Sequence, residues 1–197
     1  MSRFALATTL LSLLPSSALA AVVCMTDQNL AVPQDSEGVY INLVTGDNAG
    51  SESAVPGFDF DPYAAVSTNP TLQLKFYWGS ASNNGAGVAS AGDAYAVLAG
   101  GDVIDAGSPF TRAGFSGDTS AWQAGVEGYL GMRFTNEATA TLTYGWVRLS
   151  TTAPLGFPAT VLDWCYEDSG AGITIPAAPD NDRVFCDGFD GLTCQAE

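Results

Sequence analysis

Residues 129–167 read YLGMRFTNEATATLTYGWVRLSTTAPLGFPATVLDWCYE, and this stretch decides the fold class. YLGMRFT (Tyr129 to Thr135) runs into Asn136 and Glu137, a turn, and TATLTYGWVRLS (Thr139 to Ser150) follows. The break from Pro154 to Pro158 separates that run from ATVLDWCYE (Ala159 to Glu167). Period-two alternation, β-branched and aromatic side chains and turn residues between the runs predict a three-strand antiparallel meander. In the last strand Leu162, Trp164 and Tyr166 form the expected apolar face. Val161, Asp163, Cys165 and Glu167 take the other face, so Cys165 is expected to point outward.

The same period recurs upstream. In VYINLV, Val39, Ile41 and Leu43 alternate with Tyr40, Asn42 and Val44; in LQLKFYW, Leu72, Leu74, Phe76 and Trp78 share a face. AYAVLA (Ala94 to Ala99) and DVID (Asp102 to Asp105) read as two short strands around Gly100 and Gly101. The small-residue run GSASNNGAGVASAG, Gly79 to Gly92, reads as a long loop. No 3.6-residue apolar period is sustained for three turns. Many short strands between turn-rich segments predict an all-β chain, an antiparallel β-sandwich or jelly-roll-like fold of two packed sheets.

Composition sets the outer bounds. The chain has 197 residues, 47% of them hydrophobic and 14% charged, which suits one globular domain and not a disordered chain. It contains no His, so a Ser-His-Asp triad, a Cys-His pair, a His-ligated zinc or a His base is excluded within it. Asp and Glu number 21 against 6 Lys and Arg, a formal net charge of −15. With Lys75 the single lysine, no basic patch can form, and nucleic acid is excluded as a partner.

Arg3, the apolar run Phe4 to Leu14, the break at Pro15 and the Ala18-Leu19-Ala20 site have the form of a signal peptide over residues 1–20. The expected divisions are therefore this leader, a sandwich domain over 21–175 and a C-terminal tail over 176–197. No later stretch is long enough to span a bilayer, so no transmembrane segment is expected in the mature chain. Export makes disulfides the expected state of Cys24, Cys165, Cys186 and Cys194. Four cysteines allow three pairings. Cys186 and Cys194 lie close together in a polar tail and would close a local loop, leaving Cys24 to join Cys165. A Cys₄ zinc site is disfavoured by the absence of C-x₂-C spacing.

GYLGMRF, YGWVRLS and ATVLDWCYE followed by SGAGITI resemble a broad set of exported bacterial proteins with β-sandwich folds. The tail segment RVFCDGFDG, Arg183 to Gly191, resembles a short "IFxDGFE" ending on exported proteins of some Gram-negative bacteria. The resemblance implies a secreted, extracellular or outer-surface location, with the periplasm as the alternative. It carries over no catalytic residue.

Candidate sites are few. Flat aromatic faces complement the apolar faces of pyranose rings, so Trp78, Trp122, Trp146 and Trp164 are candidates for sugar stacking. Trp146 shares a strand face with Tyr144 and Leu142, and Trp164 with Leu162 and Tyr166, which points both to a core. Trp122, in the polar run SGDTSAWQAG, is the preferred ligand-binding aromatic. Asp59 and Asp61, alternating with Phe58 and Phe60, would project to one side as calcium ligands can, with Asp47, Asp93, Asp102 and Asp105 in other loops. Plain solvated acids are the competing reading. EF-hand spacing is absent, and no other cofactor is expected.

For catalysis, Glu127 with Asp163 or Glu167 could serve a carboxylate glycosidase, but acid pairs are unavoidable with 21 present. Lys75 has the placement of an ordinary outward strand lysine. AGFSGD around Ser116 lacks G-x-S-x-G spacing. Arg148, on the side of Trp146, reads as a rim residue or a cation stacked on an aromatic. The expectation is a non-enzymatic binding or structural sandwich, with polysaccharide or extracellular matrix as partner. A glycoside hydrolase and a calcium-binding matrix component are the alternatives.

Overall fold

The computed structural model describes residues 21–77, 87–92, 94–111 and 117–177. The expected leader over residues 1–20, Trp78, Asp93, Ser116 and residues 178–197, with Cys186 and Cys194 and their expected local disulfide, lie outside the described residues. Within them the strands are β1 (Val22–Met25), β2 (Leu30–Val32), β3 (Tyr40–Ile41), β4 (Asn48–Ala49), β5 (Asp61–Ala65), β6 (Gln73–Tyr77) and β7 (Gly87–Ala91). There follow β8 (Ala94–Tyr95), β9 (Val103–Ile104), β10 (Phe110–Thr111), β11 (Glu127–Asn136), β12 (Thr141–Ser150), β13 (Ala159–Glu167) and β14 (Ile173–Thr174). The only helices among the described residues are a 3₁₀ turn at Glu52–Ala54 and α1 (Ser120–Gln123).

The meander read from the sequence is the centre of an eight-stranded sheet of order β1-β13-β12-β11-β7-β10, with β2 beside β13 and β8 beside β7. Every pairing between its strands is antiparallel. The hairpins β3-β4 and β5-β6 are joined by the Ile41–Phe60 bridge into a second layer of order β4-β3-β5-β6. Ile41, Leu43, Phe60, Leu74 and Phe76 from this layer pack against Leu130, Met132, Phe134, Val147, Leu149 and Trp164 of the large sheet. The architecture is therefore an all-β antiparallel sandwich. The inward faces of VYINLV and LQLKFYW supply its smaller half.

The back of the large sheet is covered too. Ile104 of β9, Ile173 of β14 and Ile175 pack on Tyr144, Trp146 and Cys165. Trp146 and Tyr144 are therefore buried, at 5% and 7% exposure, but in this second cluster rather than in the main core. Leu142, at the open end of the same face, is 37% exposed.

The last strand departs from strict alternation. Its register with β12 shifts so that Arg148 faces Asp163 while Leu149 faces Val161, which leaves Leu162 as the bulged residue. Val161 therefore lies in the main core together with Trp164 and Tyr166, and Leu162 does not. The freed Leu162 carbonyl accepts the Gln28 and Asn29 amides, at the break between β1 and β2. Cys165 does face away from the main core, as expected, but it is only 5% exposed because the second cluster covers it.

Another correction concerns the run Gly79 to Gly92. Residues 87–91 are β7, a strand pairing with β11, β10 and β8, and not a loop. Its small residues hide it from a pattern search, yet the packing demands them. A Cβ on Gly131 would lie 2.9 Å from the Ala89 Cβ and 2.7 Å from Leu98 Cδ1, so β7 and β11 meet through small residues.

Cys24 and Cys165 are direct cross-strand partners on β1 and β13 and form the expected disulfide, across 141 residues of sequence. A link closing so long a loop restricts the unfolded chain strongly. Replacing both cysteines by Ser is expected to lower the unfolding free energy by about 2–5 kcal/mol. Denaturant titration with and without reductant measures it; equal midpoints would show that the link contributes nothing.

Candidate ligand-binding face

Trp122 is not available to a ligand: its exposure is 0%. The polar residues around it are what bury it. Thr119 Oγ1 donates to the Leu74 carbonyl at 2.6 Å, Gln123 Nε2 to Gln73 Oε1 at 2.9 Å, and Thr151 Oγ1 to the Trp122 carbonyl at 2.6 Å. These bonds clamp α1 onto β6 and drive the indole edge-on against Phe76, 5.8 Å between centroids. Polarity in SGDTSAWQAG marks a hydrogen-bonded clamp and not exposure. Trp164 is buried as well, its Nε1 donating to the Leu43 carbonyl at 3.0 Å.

Asp59 and Asp61 are buried, at 1% and 2% exposure, so the reading of solvated acids fails for both. They are not brought together as a calcium pair either. Asp59 Oδ2 accepts the Leu43 amide at 3.0 Å. Burial pushes its carboxyl up to about 8, the Leu43 hydrogen bond opposing and Glu137 adding to the rise. Asp61 is also pushed to about 8, by burial first and then by Glu37, with Asp35 and Glu52 adding and the Val39 amide opposing. Its Oδ1 has no hydrogen-bond partner. Among the described residues no group of three or more Cys, Asp or Glu side chains is placed to hold a metal ion.

The cover over Asp61 is the turn before β3. Asp35 Oδ1 accepts the Glu37 and Gly38 amides at 3.0 and 2.9 Å, and Gly38 takes φ +59°. A Cβ there would lie 2.1 Å from the Pro62 carbonyl oxygen and 2.7 Å from Asp61 Oδ1. Only glycine allows this approach.

Around that turn, the outer face of the second layer gathers aromatic side chains that no sequence motif announced. Asp61 faces Tyr77 across β5 and β6, and Tyr63 faces Lys75. Phe58 lies 4.8 Å from Tyr40, edge to face, and 5.9 Å from Tyr77. Tyr77 is 37% exposed, Tyr63 partly buried, Tyr40 buried. The hydroxyls of Tyr40 and Tyr63 are each pushed to about 12, by burial and then by Asp61. Both stay neutral donors at ordinary pH, with the exposed Glu37 and Glu52 as acceptors nearby. Lys75, expected to point into solvent, is nearly buried and donates to the Gly117 carbonyl at 2.6 Å. Period-two reading places these residues on the outer side, but only the β3–β5 bridge brings Tyr40 and Phe58 beside Tyr77.

The acids considered for glycosidase chemistry are otherwise engaged. Glu127 and Asp163 both bind Arg148, and Glu167 is buried, accepting the Ser169 and Ala171 amides. No helix among the described residues is long and apolar enough to cross a membrane. No family model matches the chain, and neither a curated protein nor a solved structure matches it.

The buried carboxyls make a pH dependence. A group whose folded value is raised from 3.8 to about 8 holds a proton that the unfolded chain releases. Its stabilisation is complete below about pH 4 and is lost as pH climbs towards 8. The melting temperature is therefore expected to fall between pH 5 and pH 9, and Asp61→Asn to flatten that fall. A slope unchanged in both Asp59→Asn and Asp61→Asn would refute the assignment. Gly38→Ala is expected to cost at least about 2 kcal/mol, from strain and the Pro62 clash, in a denaturant titration.

Proposed function

We propose that the chain is an exported, non-catalytic binding protein whose tyrosine face holds a neutral polysaccharide. The observation that carries this reading is Tyr77: more than a third exposed, backed by Phe58, and rimmed by carboxylates and neutral tyrosine hydroxyls. A flat ring supported from behind suits the apolar face of a pyranose, and the acids accept hydrogen bonds from sugar hydroxyls. The acidic rim repels anionic glycans, which favours neutral ones. Export is supported by the form of residues 1–20 and by the Cys24–Cys165 bond, since disulfides persist in oxidising compartments. The likeness to exported Gram-negative sandwich proteins agrees with it.

The test is retention of the mature protein on a panel of neutral polysaccharides, with calcium and with chelator, while the supernatant is assayed for released sugar. Retention without release is expected, with Tyr77→Ala weakening it about tenfold, the scale of one aromatic contact. Released sugar would establish the glycosidase reading instead. Retention lost with chelator would establish a metal-dependent one. No retention on any polysaccharide would overturn the binding reading and leave a structural matrix component.

A further inference from the structure

We propose that the chain is cut between Ala20 and Ala21 and that Asp168 receives the new α-ammonium of Ala21 as an ion pair. The cut rests on the export reading; the pairing rests on Ala21 and Asp168 themselves. Ala21 N donates to Asp168 Oδ1 at 3.1 Å, and the Asp168 amide donates to the Ala21 carbonyl at 3.0 Å. Both backbone groups of the first residue after the Ala18-Leu19-Ala20 site are thus held by one residue 147 positions later.

The way this ladder ends singles out the carboxylate. Val22 lies opposite Glu167 and Val23 opposite Tyr166, so Ala21 falls opposite Asp168. Facing residues in a hydrogen-bonded antiparallel pair ordinarily exchange two backbone bonds. Here the Asp168 amide keeps its half of the exchange, while its side chain takes the Ala21 N–H. Inside a continuous chain that bond joins a neutral donor to a carboxylate. At a free terminus it joins an ammonium to a carboxylate at ion-pair distance, a stronger arrangement. The Cys24–Cys165 bond, three residues along, ties this end to β13 and keeps the ammonium off a frayed terminus.

The cut consumes one water. The C–N bond between Ala20 and Ala21 breaks, Ala20 leaves as a carboxylate, and the Ala21 nitrogen takes up the proton. A leader peptidase that reads small residues at 18 and 20 supplies the catalysis. The register is strict. A cut one residue later removes the donor, and one residue earlier leaves Ala21 N a neutral amide. β1 is the end strand of the large sheet, where a charge also discourages pairing with another chain.

Other titratable groups lie about the pair. Glu167 is buried beside it on β13, its carboxylate accepting the Ser169 and Ala171 amides, and Tyr144 of β12 faces Glu167. The Tyr166 hydroxyl is pushed up by burial and then by Asp168, with Glu137 and Asp59 adding. Asp59 itself titrates at about 8, close to an ordinary α-amino group at about 7.7–8.0, so the pair is read against a variant and not from its absolute value.

The test has two arms. The chain expressed with its leader is recovered after export and weighed by mass spectrometry, which is expected to show residues 21–197. An intact leader or a different first residue would overturn the cut. The pairing is measured on the same chain freed at Ala21 from an N-terminal fusion, so it stands or falls without export. The Ala21 methyl resonance is followed by NMR from about pH 6 to 10. The amine is expected to lose its proton a few tenths of a pH unit higher in the native chain than in Asp168→Asn, the scale of an exposed pair. That gap should close in about 1 M salt and vanish in denaturant. Equal titration in the native chain and Asp168→Asn would overturn the pairing. Asp168→Asn should leave retention on neutral polysaccharides intact, so the tyrosine face fails or stands separately.

Discussion

The sheet made by β11, β12 and β13 has to be covered on both faces, and most of the molecule is arranged to do so. A sheet with one wet face would carry polar residues at every second position. Here the inner face meets Ile41, Phe60, Leu74 and Phe76, and the outer face meets Ile104, Ile173 and Ile175. That demand explains why Gly131 and Ala89 are small, since β7 and the β9–β14 ribbon come too close for more. It also explains the bulge at Leu162. The bulge lets one strand give Val161 and then Trp164 to the same core while Cys165 turns to the other side.

Among the described residues, open surface is what these covering elements leave. On one side that is the outer face of the second layer, where Tyr77 and Tyr63 stand over the buried Asp61. On the other it is the margin beyond the β9–β14 ribbon, where Phe110 and Arg133 meet. The first is acidic and rich in neutral hydroxyls; on the second the Arg133 guanidinium stacks on the Phe110 ring.

Local alternation was enough to read the meander, the inward sides of VYINLV and LQLKFYW, and the pairing of Cys24 with Cys165. These depend on period two and on compartment logic, both local or compositional. β7 escaped because its residues are small, and smallness is a property its neighbours require rather than one the strand announces. Trp122 misled because side-chain hydrogen bonds from Thr119, Gln123 and Thr151 consume the polarity around it. The burial of Asp59 and Asp61 and the grouping of Tyr40, Phe58 and Tyr77 rest on the bridge between Ile41 and Phe60, a contact that no single segment encodes.

The pairing of β1 and β2 with β13 fixes when the fold can close. The first strands of the domain lie beside its last long one, with Val22 facing Glu167 and Leu30 facing Val161. As the chain is synthesised, the leading strands have no neighbour until nearly the whole domain has emerged. Assembly is thus governed by its most distant contact, a slow topology. Until that contact forms, the open edge of β12 and the unpaired leading strands are exposed to other chains. A protein built in this order depends on staying single and unclosed for a time, and its vulnerable period ends only when β13 arrives.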